Sequence, residues 1–359
     1  MATHRIASLP GDGIGREVIP EGRRAADAAM ARVGGSIAWT DHDWSCETYE
    51  ATGAMMPADG VDRMRDHDAI FLGAVGYPGV PDHVSLWGML IPLRRELDLF
   101  ANVRPVRLMP GVPSPLANRT PEEIDFVVVR ENVEGEYSSI GGRIYDGTEH
   151  EAAYQQAVFT RRGCDRIMDY AFDLAAKRRA KGHRGKVTSA TKSNGIVHTM
   201  PFWDERFEAA KRRHPDAPTD QFHIDILTAR FVTDPDWFDV VVGSNLFGDI
   251  LSDLGPAVAG SIGIAPAANL DPTGRSPSMF EPVHGSAPDI AGQGVANPIA
   301  AVWTAAMMLD HLGEAEAAGL IERAMEAVLA DPAARTRDLG GTAGTRACGD
   351  AVVAAIEAA

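Results

Sequence analysis

The fold class predicted is α/β, with two domains, one of them built from discontinuous segments. Three observations predict it. Short apolar runs that read as buried strands alternate with helical patterns, as in a parallel sheet covered by helices. The 359 residues are enough for two separate cores. No Pro/Gly/Ser-rich linker marks a boundary, which points to a domain assembled from segments distant in sequence.

Taken in order, His4 to Leu9 alternates as a strand. It leads through Pro10-Gly11-Asp12-Gly13-Ile14-Gly15 into a helical pattern ending near Arg32. The dinucleotide fingerprint fails here, because Arg16 stands where the third glycine belongs. The glycines fit a tight turn with positive φ and close approach of backbone to a ligand. A short helix is expected around Val61 to Arg65, then a buried strand, Ala69 to Val75, and a Gly/Pro loop from Gly76 to His83. Ser85 to Phe100 reads as a helix kinked at Pro92. Ile124 to Val129 is an apolar strand ending in Arg130-Glu131-Asn132. Glu136 to Thr160, with turn glycines and β-formers, reads as an extended hairpin arm and dimer clasp.

Arg161 to Lys181 is an amphipathic helix whose basic tail complements its C-terminal dipole. Lys186 to Thr191 is a strand leading into Lys192-Ser193-Asn194-Gly195 and a further helix. His223 to Leu227 (HIDIL) reads as a strand carrying Asp225. After Gly255 the chain becomes Gly/Ala-rich, and Glu281 to Asp289 is a polar loop. Asn297-Pro298 suits an N-cap and first helical residue, opening an apolar helix to about Leu312. Two helices close the chain, near Ala315 to Leu329 and Asp350 to Ala358.

The formal charge of −16 argues against a nucleic-acid or anionic-membrane surface, while leaving room for a small anion held by local arginines. The three cysteines lie far apart without metal or redox spacing and read as packing residues of a reducing compartment. The N-terminal stretch has no apolar signal core and no apolar run is long enough to span a bilayer, so a soluble, cytoplasmic protein is expected.

The chemistry centres on Val240 to Gly255, VVVGSNLFGDILSDLG, read as a strand, a turn and a helix opening near Gly248. Asp249 and Asp253 are spaced i, i+4, so they share one helix face about one turn apart. Like charges so placed repel unless a cation lies between them, and a hard divalent ion takes such oxygens. The alternative is two solvated acids on an exposed face. The apolar neighbours Leu246, Phe247, Ile250, Leu251 and Leu254 favour burial. Arg94, Arg104 and Arg130 lie near element ends. Guanidinium groups pair carboxylates bidentately, so a convergent set suits a dicarboxylate.

Seven segments then occur in a familiar order: PGDGIG, LRR…NVRP, VVVRENVEGEY, TKSN, HIDI, NLFGDILSDL and FEPVHGSAPDIAG…ANP. The whole chain resembles the β-decarboxylating dehydrogenases, the family of isopropylmalate, isocitrate and tartrate/D-malate dehydrogenases. VPDHVSLWGMLIPLRRELDLF and DFVVVRENVEGEYSSIGG look most like the tartrate/D-malate branch. Trp87 stands where the isopropylmalate enzymes carry a Glu, a departure that weakens that alternative.

The resemblance implies an isopropylmalate-dehydrogenase-like fold. Residues 1–100 and 259–359 would form a large cofactor-binding domain. Residues 101–258 would form a smaller domain with the β-arm, catalytic groups and dimer interface. It further implies that Arg94, Arg104 and Arg130, with Leu90 beside them, hold the substrate. Asp249 and Asp253 of one subunit and Asp225 of its partner would bind Mn2+ or Mg2+. Tyr137 and Lys192 would be general acid and base. Ile14 and Asn194 would lie by the nicotinamide. Gly285, Ser286, Ala287, Asp289 and Asn297 would wrap the adenosine half, with Glu281 and His284 at its edge.

NAD is the expected cofactor, because Asp289-Ile290 stands where NADP-preferring relatives carry Lys-Tyr. A carboxylate there accepts from ribose hydroxyls and repels a 2′-phosphate. A K+ ion is also implied, with no ligands assignable. The expected activity is oxidation and β-decarboxylation of D-malate or tartrate by a homo-oligomer that is at least a dimer, with 3-isopropylmalate as the alternative substrate. A catalytically silent regulatory subunit would be expected to have lost a metal ligand or the acid/base pair, and this chain keeps them all.

Overall fold

The computed structural model describes residues 2–359. In chain order β1 (Thr3–Gly11) feeds α1 (Gly15–Arg32), followed by β2 (Ser36–Asp41), α2 (Cys46–Thr52), α3 (Gly60–Met64) and β3 (Ala69–Ala74). Helix α4 (Asp82–Ser85) passes through a π turn, Leu86–Leu90, into α5 (Ile91–Glu96) and then β4 (Ala101–Arg107). Next come β5 (Asp125–Glu131), the hairpin strands β6 (Gly141–Ile144) and β7 (Ala152–Gln155), α6 (Arg161–Ala180), β8 (Val187–Thr191) and α7 (Thr199–Arg213). After β9 (Thr219–His223) come α8 (Ile224–Thr233), β10 (Val240–Gly243) and α9 (Asn245–Val258). The chain ends with β11 (Pro266–Leu270), β12 (Ser278–Pro282), α10 (Ile299–His311), α11 (Ala315–Ala330) and α12 (Thr345–Ala358).

The chain divides into two compact units. The first comprises the chain up to Leu99, Arg104–Ile124 and Pro256–Ala359. Its strands run in the order β2-β1-β3-β12-β11. All these pairings are parallel except β11 with β12. Strand β3 is buried along its whole length, as expected of a parallel strand covered on both faces. Helix α1 packs against α10 and α12. Leu9, Leu72, Met89, Leu93 and Met279 share one apolar cluster. The ends of β1 and β3 therefore deliver the loops at Asp12 and Gly76 to one edge of the sheet, where open α/β sheets bind ligands. These loops are stitched together: Asp12 N–H donates to the Ala74 carbonyl, and the Asp12 carboxylate accepts from Gly76 N–H and Cys46 N–H.

Residues 104–124, expected with the smaller domain, pack with this first unit instead. Gly111 lies so close to Leu329 and Ala330 that a side chain would collide with their backbone. Arg107 pairs with Glu326 at 2.7 Å, and Ser114 Oγ donates to the Val258 carbonyl. Strands β2, β11 and β12 were not expected. The SIAWTD segment of β2 is largely exposed, and PAANL of β11 is too small and mixed to show a strand pattern.

The second unit comprises Phe100–Val103 and Asp125–Gly255. Its strands run β5-β10-β8-β9, all parallel. Phe126, Phe231 and Phe238 form an aromatic core with ring centroids 4.9 to 5.9 Å apart. The hairpin β6-β7 is exposed along both strands.

Four local expectations need correction. Asp225 lies in the first turn of α8, not on a strand. Leu227 and Phe231 are the buried positions there, and their i, i+4 spacing wins over the short alternation of HIDIL. Helix α9 opens at Asn245, three residues before Gly248, so Asp249 and Asp253 are both well inside it. Ser85–Phe100 is not one kinked helix. Pro92 has no N–H to donate, and the turn before it widens so that Ile91 N–H reaches the Leu86 carbonyl. The helix then stops at Glu96 because Asp98 adopts φ +52°, letting Leu99 N–H close onto the Arg94 carbonyl at 2.8 Å. At α10 the helix starts at Ile299, one residue later than expected, while the Asn297 side chain still makes the expected capping bond, accepting from Ile299 N–H at 3.0 Å. No helix among the described residues is long and apolar enough to cross a membrane.

Candidate active site

In the first unit, Arg94 and Arg104 line one cavity of about 150 Å3 together with Leu90, Glu281 and His284. The π turn and α5 present Arg94, β4 presents Arg104, and the end of β12 presents Glu281. Arg94 Nη2 donates to Glu281 Oε1 at 2.7 Å, and the buried Asn269 amide donates to the same oxygen at 2.9 Å. Burial works to raise the Glu281 carboxyl, but Arg94, Asn269 and Arg104 outweigh it and hold it below its ordinary range. The cavity is thus a cationic pocket with one fixed counter-charge. Glu281, expected at the edge of the cofactor site, is engaged with Arg94. Trp87 stands half exposed with the Arg95 guanidinium 4.9 Å from its ring centroid.

A neighbouring cavity of about 140 Å3 in the same unit is lined by Ile14, His284, Ile290, Val295, Asn297 and Asp338. Three of the residues expected at the cofactor are therefore gathered there, and His284 borders both cavities. Burial lowers the His284 pKa, which favours the neutral ring. Its Nδ1 lies 3.0 Å from the Gly285 carbonyl and donates to it, leaving Nε2 as a buried acceptor with no partner among the described residues. An orphaned buried acceptor fits a site that receives a hydrogen-bonding ligand. Ser286 is buried, and its carbonyl accepts from Ile14 N–H at 2.8 Å. Gly13 must lack a side chain because a Cβ there would stand 2.1 Å from the same carbonyl. Ala287 takes the strained φ of +40°, and Gly285 and Asp289 are exposed on this loop.

In the second unit Arg130, at the end of β5, is buried. Its Nη1 donates to Asp249 Oδ1, and its Nε and Nη2 donate to Asn245 Oδ1 at 3.2 and 2.6 Å. Tyr137 OH donates to the other Asp249 oxygen at 2.7 Å, and the Arg130 guanidinium lies 5.3 Å from the Tyr137 ring centroid. Burial and the Asp249 carboxylate push the Tyr137 phenol up to about 12. Gly248 makes this approach possible: a Cβ on it would stand 2.5 Å from Arg130 Cβ. Asp253 follows one turn along α9 on an exposed position.

Sequence reasoning missed two supports of this cluster. Asn245 anchors Arg130 and donates to the Glu134 carbonyl at 2.9 Å. Glu136 accepts from Ser244 Oγ at 2.7 Å and from Leu246 N–H at 3.0 Å, capping the start of α9 from the loop that carries Tyr137. The signal was present in EGEY and GSN, a carboxylate and short polar residues beside a helix start.

Lys192 and Asp225 form a separate pair in the second unit, Nζ to Oδ2 at 2.9 Å. The Lys192 hydrogen bond, opposed by burial, holds the Asp225 carboxyl below its ordinary range. Asn194 lies on the exposed turn after Lys192. Among the described residues no three His, Cys, Asp or Glu side chains of the one chain gather as a metal site. Asp249 and Asp253 offer only hard oxygen donors, which fits Mg2+ or Mn2+, but they need a further ligand.

The family model described as isocitrate/isopropylmalate dehydrogenase matches residues 5–352. The chain is 56% identical over 359 residues to a D-malate dehydrogenase [decarboxylating] of Escherichia coli (strain K12), covering 98% of each. It is 55% identical over 356 residues to a tartrate dehydrogenase/decarboxylase of Pseudomonas putida, covering 97% of this chain and 96% of that one. Among solved structures it resembles isocitrate dehydrogenase from Methylococcus capsulatus, with a TM-score of 0.88 and 36% identity over 99% of each chain. With a cationic pocket, an acid-bearing helix and these matches over nearly its whole length, the chain belongs to the isocitrate/isopropylmalate dehydrogenase family of decarboxylating dehydrogenases.

Proposed function

We propose that this chain oxidises D-malate, or tartrate, with NAD and a divalent metal, and that D-malate leaves as pyruvate and CO2. One observation carries the reading: Asp249 meets Arg130 and Tyr137 at a single point, on the helix that also bears Asp253. The relatives named for D-malate and tartrate support the substrate class.

Arg94, Arg104 and Arg130 are assigned to the substrate carboxylates, with Leu90 as the apolar wall. Asp249, Asp253 and Asp225 would hold Mg2+ or Mn2+, which supplies Lewis-acid charge to the oxygen that becomes the ketone. Lys192 would take the proton of the C2 hydroxyl, and bound NAD would supply the acceptor for the C2 hydride. The C3–carboxylate bond then breaks, and its electrons pass into the enolate of the new ketone. Tyr137 returns a proton to C3. Its phenol, with a pKa near 12, is fully protonated at neutral pH and correctly charged for that donation. Ile14, Asn194, His284 and the loop from Gly285 to Asn297 receive the cofactor, with Asp289 selecting against a 2′-phosphate.

The 2.9 Å pair has a structural consequence. If Asp225 is donated to the metal by a second copy of the chain, Lys192 goes with it, so base and third ligand arrive together. Exposed apolar side chains favour such a homodimer: Ile226 on α8, Ile250 on α9, and Ile144 and Tyr154 on the hairpin. The test is NADH production by the purified protein with Mn2+ and NAD on D-malate, each tartrate isomer and 3-isopropylmalate. The highest kcat/KM is expected on D-malate or a tartrate. Preferred turnover of 3-isopropylmalate, or none at all, rejects the assignment.

A further inference from the structure

The loop from Gly285 to Asn297 has anchored ends and an unusual hold on its middle. Ser286 is tied to Ile14 at the start, and Asn297 to Ile299 at the finish. Between them the chain turns at Gly292 and Gly294, with φ of +78° and +65°. Both turning residues aim their N–H groups at one carboxylate, that of Glu17 in the first turn of α1. Glu17 Oε1 accepts from Gly292 N–H at 2.5 Å, and Oε2 accepts from Gly294 N–H at 2.9 Å. From the other side Thr345 N–H donates to the Gly294 carbonyl at 2.8 Å, and Thr345 Oγ1 to that of Ala296 at 2.6 Å.

Two backbone N–H groups converging on a carboxylate make a charge-assisted clamp, stronger than neutral hydrogen bonds. The start of α1 also favours a negative charge at Glu17, through the partial positive charge of the helix N-terminus. The same helix start, through Ile14, holds the beginning of the loop. Helix α1 therefore grips the loop at two places, with the exposed Pro288 and Asp289 between them.

We propose that Glu17 is a positioning residue for the cofactor: it never touches NAD, but its hold on Gly292 and Gly294 keeps the loop in the shape that receives the adenosine half. This rests on the reading of that loop as the adenosine site. A ligand that must first order a loop binds more weakly by the fraction of time the loop is ordered.

The experiment uses the full-length protein and Glu17→Gln, which keeps the side chain's size but loses the charge and one acceptor. NADH affinity is measured by fluorescence titration without substrate, alongside steady-state kinetics and hydrogen exchange of residues 287–296. The expected result is NADH Kd and NAD KM both raised about tenfold, kcat at saturating NAD within about twofold, and faster exchange confined to the loop. Glu17→Asp, which keeps the charge, should recover part of the affinity. Unchanged exchange and affinity in Glu17→Gln overturn the role of Glu17 while leaving the adenosine site standing. Faster loop exchange with unchanged NADH affinity overturns the proposal by showing that this loop is not that site. A fall in kcat without a change in affinity also overturns it.

Discussion

Gly248→Ala tests how closely helix α9 must approach the strand bearing Arg130. An added Cβ would stand 2.5 Å from both Cβ and Cγ of Arg130 and 2.9 Å from its Cα. Carbon atoms rest about 3.5–4.0 Å apart, so helix and strand must part by roughly 1 Å. The contacts are with backbone and the base of a side chain, which cannot rotate away. Overpacking of this kind costs about 1–3 kcal/mol, a fall of a few degrees in Tm. The larger effect is local. Arg130 holds Asp249 and Asn245, and Asp249 holds Tyr137, so the displacement reaches all four groups. A misplacement of about 1 Å at reacting groups costs about a hundredfold in rate. The assay is kcat/KM by NADH absorbance, with Tm by calorimetry and NADH affinity by fluorescence. A hundredfold loss in kcat/KM is expected with NADH affinity unchanged, because the loop from Gly285 to Asn297, proposed for the adenosine half, belongs to the other unit. Activity within threefold of the parent would refute the argument that Arg130 needs this close approach.

The remaining predictions concern single groups. Tyr137→Phe should lower turnover about a hundredfold, the range for loss of a general acid, with substrate KM little changed; stopped-assay measurement of pyruvate alongside NADH checks it. Burial pushes the Glu131 carboxyl up to about 8, with Arg166 3.7 Å away. Its folded pKa lies above the ordinary 4.5, so its contribution to stability is full at acid pH and is lost as pH rises through about 8. Glu131→Gln should therefore gain in Tm relative to the parent at pH 8 but not at pH 5; equal differences at both would contradict this. Asp289→Lys should reduce NAD use and admit NADP, and an unchanged ratio of the two kcat/KM values would remove Asp289 from the site.

The parallel cores were legible because β3 and β5 are unbroken apolar runs, and the long helices because their apolar spacing is regular. Strand β11 was not, since PAANL gains its strand conformation from the antiparallel partner β12 and not from its own composition. The π turn was only half legible: Pro92 announced a disturbance, but a kink and a widened turn satisfy the same missing N–H. HIDIL misled because its run of apolar residues fits both periods, and the phase is decided by the burial of Phe231 beyond the motif. At the site, Asp249 and Asp253 could be paired from spacing alone. Asn245 and Glu136 stood out only as polar residues beside a helix start, because the partners that give them their roles, Arg130 for Asn245 and Ser244 and Leu246 for Glu136, lie more than a hundred residues away in sequence. Lys192 and Asp225 were read separately, and only their 2.9 Å contact makes them a unit.

That unit decides the central claim, that the reacting centre is completed by a second copy of the chain. Tyr137→Phe and Asp225→Asn proteins, each expected to be strongly impaired alone, are unfolded together, refolded and assayed with D-malate, NAD and Mn2+. If Tyr137 of one protomer works with Lys192 and Asp225 of its partner, half the dimers are mixed and each has one intact centre, restoring about a quarter of the parent activity. If each centre lies within one chain, every centre carries a lesion and the mixture stays as inactive as its parts.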